Sequence, residues 1–177
     1  MKIFVINGAP RAGKDTFVLN CQELIGKNRC LNVSTVDFVK EIALKAGWDG
    51  KKTPEARKFL SDLKDIMTEY GDIPFQKIKG AVSSFRWTLE EYATDWYAEN
   101  SLIFIHCREP KEIARFEEEL GAQSLLIRRP DIEKVEQSNH ADAEVLNYNY
   151  TYTIYNDGTL DELKQKAIDF VTKHIVL

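Results

Sequence analysis

Gly8, Gly13, Lys14, Asp15 and Thr16 fall in the stretch GAPRAGKDT, residues 8–16, spaced as a glycine, four residues, then Gly-Lys. These residue types in this order suit the holding of a phosphate. Glycines let the backbone turn its N–H groups inward, a helix N-terminus adds a favourable partial charge, and a lysine reaches the β- and γ-phosphates. Arg11 adds a cation inside the loop. A lysine whose charge opposes the helix dipole, with Arg11 beside it in the loop, weighs against a glycine turn without chemistry. The residue after Lys14 breaks the usual pattern, in which a Ser or Thr ligates Mg²⁺. Asp15 is also a hard oxygen ligand and Thr16 follows with a hydroxyl, so either could meet the metal. A plain first-turn carboxylate that favours the helix dipole explains Asp15 equally well.

Phosphoryl transfer needs positioning and positive charge more than covalent chemistry. Arg108, Arg128 and Arg129 stand at the ends of expected strands or in the loop after one, and with Arg11 and Lys14 they form a basic basin. The planar arginine fork holds two phosphate oxygens at once. Asp37 follows another expected strand; it could hold a sugar hydroxyl or a hydrated Mg²⁺, or simply start a helix. No GxSxG, HExxH or cysteine-nucleophile pattern occurs, and an acceptor that is already a phosphate needs none. His106, in an apolar strand end, is expected as a packed core residue. His174 is expected as a helix C-terminal cation, and His140 has no clear role.

The elements that must position these groups alternate. KIFVIN at residues 2–7, LNVSTV from Leu31, SLIFIHC from Ser101, SLLIRR from Ser124 and YTYTIYN from Tyr150 are short apolar runs suited to strands buried on both faces. Helical stretches lie between them. The pattern predicts an α/β fold, a three-layer α/β/α sandwich on a mainly five-stranded parallel sheet, in one domain over residues 1–177. Thr53-Pro54-Glu55 opens a helix. TLEE from Thr88 and TLDE from Thr159 match capping boxes. EPKEIARFEEELGA carries Ile113, Phe116 and Leu120 on one stripe and stops at Gly121. The long interval between the second and third strands predicts a helical acceptor-side insertion at about 37–100. A shorter one at about 129–149 is a candidate lid. Of the insertion's aromatics, Trp48, Phe59, Tyr70, Phe75, Phe85, Trp87, Tyr92, Trp96 and Tyr97, most are expected in the core, and Phe85 and Trp87 flank Arg86 as a pocket wall would.

Bulk properties narrow the partners. The 177 residues include 24 basic and 28 acidic side chains, a net charge of −4, which argues against a general binder of polymeric nucleic acid. Three cysteines without metal spacing fit free thiols in a reducing cytoplasm. No segment approaches the roughly 18 apolar residues of a membrane span. A soluble cytoplasmic protein is expected, with a homodimer left open.

GAPRAGKDT resembles the GKDT-type loop of P-loop kinases that phosphorylate an existing phosphate, in the branch of deoxynucleoside monophosphate kinases with P-loop phosphomevalonate kinases as relatives. STVDFVKEIA, HCREPKEIARFEEELGAQSLLIRRP and YNDGTLDEL resemble further segments of that family, so the likeness touches most of the chain. It implies transfer of the ATP γ-phosphate, with Mg²⁺, to a small monophosphate. Lys14, Arg108, Arg128 and Arg129 would serve the transfer itself. Gly8, Arg11, Ala12, Gly13, Lys14, Asp15 and Thr16 would hold the ATP phosphates, with Mg²⁺ on Asp15 or Thr16. Asn156, Asp157 and Gly158 would lie against adenine, largely through backbone. Asp37, Lys40, Arg57 and Arg108 would face the acceptor. One departure stands out: His106 and Cys107 occupy the place where the family has Asp before Val-Arg. A carboxylate that could anchor Mg²⁺ through water is missing there, and Asp37 or Glu109 could compensate. The lid segment also carries acids, Asp131, Glu133 and Glu136, and its NHADAEV stretch matches the family only loosely.

Overall fold

The computed structural model describes residues 1–133 and 145–177. Its sheet contains β1 (Lys2–Asn7), β2 (Cys30–Ser34), β3 (Leu102–His106), β4 (Gln123–Arg128) and β5 (Tyr152–Tyr155), all parallel, in the order β2-β3-β1-β4-β5. The strand that feeds the glycine loop is therefore central, and it pairs with β3 and β4. Side chains alternate along it. Phe4 and Ile6 pack against α1 (Lys14–Ile25) and α8 (Leu160–His174), through Phe17, Val18, Leu163 and Phe170. Ile3 and Val5 point the other way, onto α4 (Ile73–Tyr92) and α6 (Pro110–Leu120), through Phe75, Ile78, Ile113 and Phe116. Burial on both faces is why the strands are continuous apolar runs rather than alternating ones. The expected three-layer fold and its five parallel strands are present.

β5 is shorter than expected. Tyr148 and Tyr150 leave the strand line and pack into the second core, where the Tyr150 hydroxyl accepts a hydrogen bond from Asn7 Nδ2 at 2.8 Å. Helix signals largely hold. Thr53 Oγ1 accepts from Ala56 N at the start of α3 (Pro54–Gly71), Thr159 and Glu162 form a reciprocal capping box, and α6 stops at Gly121 in the left-handed region. Thr88 is the exception. It lies inside α4, and its hydroxyl donates to the Ser84 carbonyl at 2.9 Å. Leu89 is buried one position later, so tertiary packing carries the helix through a sequence that resembles a start signal.

The insertion holds α2 (Asp37–Lys45), α3, α4 and α5 (Asp95–Glu99), and a short α7 (Pro130–Glu133) follows β4. Its aromatics are not mostly core. Phe75 is buried, but Phe59, Tyr70, Trp87, Tyr92, Trp96 and Tyr97 are exposed. The reason is layering: α4 supplies Phe75, Ile78 and Val82 to the sheet core, whereas α3 packs beside α4 and α2 and buries only Met67. Arg29 covers part of this surface, its guanidinium 4.5 Å from the Trp96 ring centre while donating to the Asn100 carbonyl. His174 is not a solvated cation either. Its ring packs on Phe4, Tyr152 and Phe170, Nδ1 lies 2.7 Å from the Phe170 carbonyl, and burial pushes its pKa below the usual histidine value. Among the described residues no helix is long and apolar enough to cross a membrane.

Candidate functional site

The loop between β1 and α1 is shaped by two glycines. Gly8 has φ +148°, and a β-carbon there would overlap the Ile127 carbonyl oxygen of β4. Gly13 has φ +99°, and a β-carbon there would lie 2.5 Å from Asn156 Nδ2. Arg11 also takes a left-handed conformation, with φ 61°. Such turns point successive N–H groups to one side, which makes an anion-binding concavity. Helix α1 then begins at Lys14 without a side-chain cap, leaving its first-turn N–H groups suited to an anion.

The loop is locked from the far end of the chain. Asn156, buried just after β5, donates from Nδ2 to the Ala12 carbonyl at 2.9 Å and from its backbone N–H to the Arg128 carbonyl at 2.7 Å. Asn7 secures the other side. Its Oδ1 accepts from Gly8 N at 2.8 Å, and its Nδ2 donates to Tyr150 and, at 3.3 Å, to the Arg108 carbonyl. Lys14 Nζ donates to the Gly8 and Ala9 carbonyls at 2.6 and 2.9 Å, so its charge sits over the loop. Here a cleft of about 210 Å³ is lined by Arg11, Lys14, Asp15, Thr16, Arg129 and Asn156.

His106 closes β3 beside this cleft, in register with Ile6 of β1 and Ser34 of β2. Its Nδ1 lies 3.7 Å from Asp15 Oδ1; its side chain is 15% exposed and that of Asp15 is 95% exposed. Burial lowers the imidazole pKa, opposed by Asp15 and Asp37 and assisted by Lys14 and Lys40. The expected packed histidine is therefore also a contact of the glycine loop. Beyond it, a second cleft of about 230 Å³ is lined by Ser34, Asp37, Phe38, Glu41, Pro74 and Lys77, with Lys77 Nζ 4.3 Å from the Phe38 ring centre. Asp37 also closes the turn before α2: Oδ2 accepts from Ser34 N at 2.8 Å, and Lys40 Nζ lies 3.6 Å from Oδ1.

The remaining expected residues are more scattered. Arg57 is exposed near the start of α3 and lines neither cleft. Arg108 is exposed in the loop after β3, and Arg128 lies 5.6 Å from the Tyr155 ring centre. Asp157 pairs with Lys166 Nζ at 2.8 Å, which holds its carboxyl below the ordinary range, and Gly158 sits against the Glu162 carboxylate that caps α8. His140, Glu136 and most of the NHADAEV stretch lie outside the described residues, as does the middle of the expected lid. Asn7 was missed, although an amide ending an apolar strand just before Gly8 was a legible signal. Phe38 and Lys77 had none.

Hard oxygens from Asp15 and Thr16 at the cleft fit Mg²⁺, which is commonly held by one or two protein oxygens plus substrate phosphates. Among the described residues no group of three acidic, histidine or cysteine side chains could hold a metal ion.

No protein-family model matches the chain, and no curated protein matches it by sequence. Solved structures similar to it include a mutant of the Mycobacterium tuberculosis APS kinase CysC, 14% identical with TM-score 0.41, covering 97% of this chain and 96% of that one. Another is the dephospho-CoA kinase of Campylobacter jejuni, 13% identical with TM-score 0.47, covering 98% and 97%. At these values neither likeness bears on what the chain does.

Proposed function

We propose that the chain is an ATP-dependent phosphotransferase whose acceptor is a small monophosphate, in the first instance a (deoxy)nucleoside monophosphate converted to the diphosphate. The observation that carries this is the presence of two clefts linked through His106, which lines neither but touches Asp15 of the first and is in register with Ser34 of the second. One is rich in phosphate-binding groups around Lys14; the other is partly apolar, bounded by Asp37 and Phe38. Both open at the C-terminal edge of a parallel sheet, where ligands of such folds bind. A donor and an acceptor could thus sit side by side.

In this reading the backbone N–H groups from Gly13 to Thr16, at the start of α1, and the Lys14 ammonium cradle the β- and γ-phosphates. Lys14 trades the Gly8 and Ala9 carbonyls for phosphate oxygens. Arg11, Arg128 and Arg129 add charge at the transferring group. Arg108 meets the acceptor phosphate, and Asp37 and Lys40 border the acceptor. Arg57, more distant, would contribute only if the insertion moved inward. Residues 129–149 would act as the lid. Asp15 and Thr16 would hold Mg²⁺, which would supply positive charge to offset that of the phosphates during transfer.

The test is a coupled assay with ATP, Mg²⁺ and a panel of nucleoside monophosphates. Turnover of one of them supports the reading. Turnover of phosphomevalonate or another small phosphate alone would replace the acceptor class, and tight ADP binding without any turnover would mark a nucleotide-binding protein instead.

A further inference from the structure

The loop carrying Arg108 is tied to the helical insertion by a partly buried polar chain. Cys107, just after β3, is buried and its Sγ lies 3.2 Å from Glu112 Oε2 on α6. Lys64, from α3, donates to the same Glu112 oxygen at 2.9 Å and lies 3.6 Å from Glu109 Oε1. The Lys64 and Glu112 side chains are 12% and 19% exposed, whereas Lys79 and Arg115, which join α6 to the insertion further along, are 38% and 39% exposed. Exposed pairs of that kind contribute little, while breaking a buried one strands a charge. Burial works to lower the Lys64 pKa, and the Glu112 carboxylate outweighs it, holding the ammonium above its ordinary value. The same burial pushes the Cys107 thiol far up, so it serves as a hydrogen-bond donor rather than a nucleophile.

We infer that Lys64 is a positioning residue for Arg108. Through Glu112, Cys107 and Glu109 it fixes the loop between β3 and α6, while Asn7 fixes the Arg108 carbonyl from the phosphate-loop side. Arg108 is thereby registered to both the phosphate loop and the insertion that walls the second cleft. A lysine on the acceptor-side helix sets where the acceptor phosphate is met. This inference rests on the phosphotransfer reading above.

A double-mutant cycle tests it, using the nucleoside monophosphate that the wild type turns over best. Lys64→Met keeps the apolar stem and removes the charge. It should raise the acceptor KM about tenfold, as expected for a misplaced positioning group, with the ATP KM unchanged and kcat little affected. Lys64→Arg should restore most of the loss. Added to Arg108→Ala, Lys64→Met should cost nothing further, because it acts through that arginine. Additive effects, or an equal rise in the ATP KM, would overturn the inference. Stability is separated by Lys64→Met/Glu112→Gln, which removes the stranded carboxylate. Tm should recover while the acceptor KM stays high; a KM that recovers with Tm makes Lys64 a structural residue only. If the wild type turns over no nucleoside monophosphate, the acceptor reading fails and takes this inference with it, a result distinct from failures seen in an active enzyme.

Discussion

Gly13→Ala is the sharpest test of how the glycine loop is held. The new methyl would lie 2.5 Å from Asn156 Nδ2, well inside ordinary contact distance, on a backbone with φ +99°. A left-handed alanine costs roughly 1–2 kcal/mol. The amide must also retreat by about 1 Å, which breaks its 2.9 Å bond to the Ala12 carbonyl. Leaving that buried pair unsatisfied costs roughly 1–3 kcal/mol more. The sum, about 2–5 kcal/mol, corresponds to a Tm loss of roughly 4–20 °C for a chain of this size. ADP affinity, read by titration calorimetry, should fall with the loss of this lock. Asn156→Ala pays the hydrogen-bond part alone, so the double variant should be markedly less destabilised than the two singles added together. Gly80→Ala is the control: it lies in α4 with nothing within 4 Å of the added methyl and should stabilise by about 0.5–1 kcal/mol. A Gly13→Ala protein with wild-type Tm and ADP affinity, or strictly additive singles, would refute this account of the loop.

Lys14→Ala should lower phosphoryl transfer by orders of magnitude while circular dichroism and Tm stay near wild type, because its partners are loop carbonyls at the edge of the cleft. Thr159→Ala should remove one arm of the α8 capping box and cost about 1 kcal/mol, measured by urea unfolding. Burial depresses the His174 pKa, so its neutral form favours the folded state; that contribution is present above the unfolded value of about 6.5 and lost as pH falls below it. Urea midpoints should therefore drop between about pH 7.5 and 5, and His174→Gln should flatten the drop, leaving the share of His106, which has the same sign. A steeper slope in the variant would contradict this assignment.

Local chemistry was legible where it is local. KIFVIN, the glycine turn, the helix start at Lys14 and the Thr159 box are each set by a few neighbouring residues, and each took the expected form. Asn156 shows the limit. Adjacent sequence marks a turn before a helix, but nothing there says that its amide holds a carbonyl 144 positions away. The aromatic placement failed for a related reason: helical spacing gives a face, and whether that face meets the sheet or only another helix is decided by layering. Thr88 satisfied a start motif in a place where Leu89 needed the helix to continue. His106 was expected in the core, and only the register of β3 with β1 and β2 set it against Asp15.

The central position of β1 has a consequence for synthesis. Its first sheet neighbour, β3, begins roughly 95 residues after β1 ends, so at typical translation speeds the apolar KIFVIN segment waits about 5–20 s for a partner strand. The amide that locks the phosphate loop emerges later still, at position 156. A nascent chain stalled before β5 would therefore carry every residue of the glycine loop and yet lack its lock. Under the proposed function, nucleotide would engage that loop fully only after residue 156 has emerged and docked, which would make ligand capture a late step in assembling this fold rather than a seed for it.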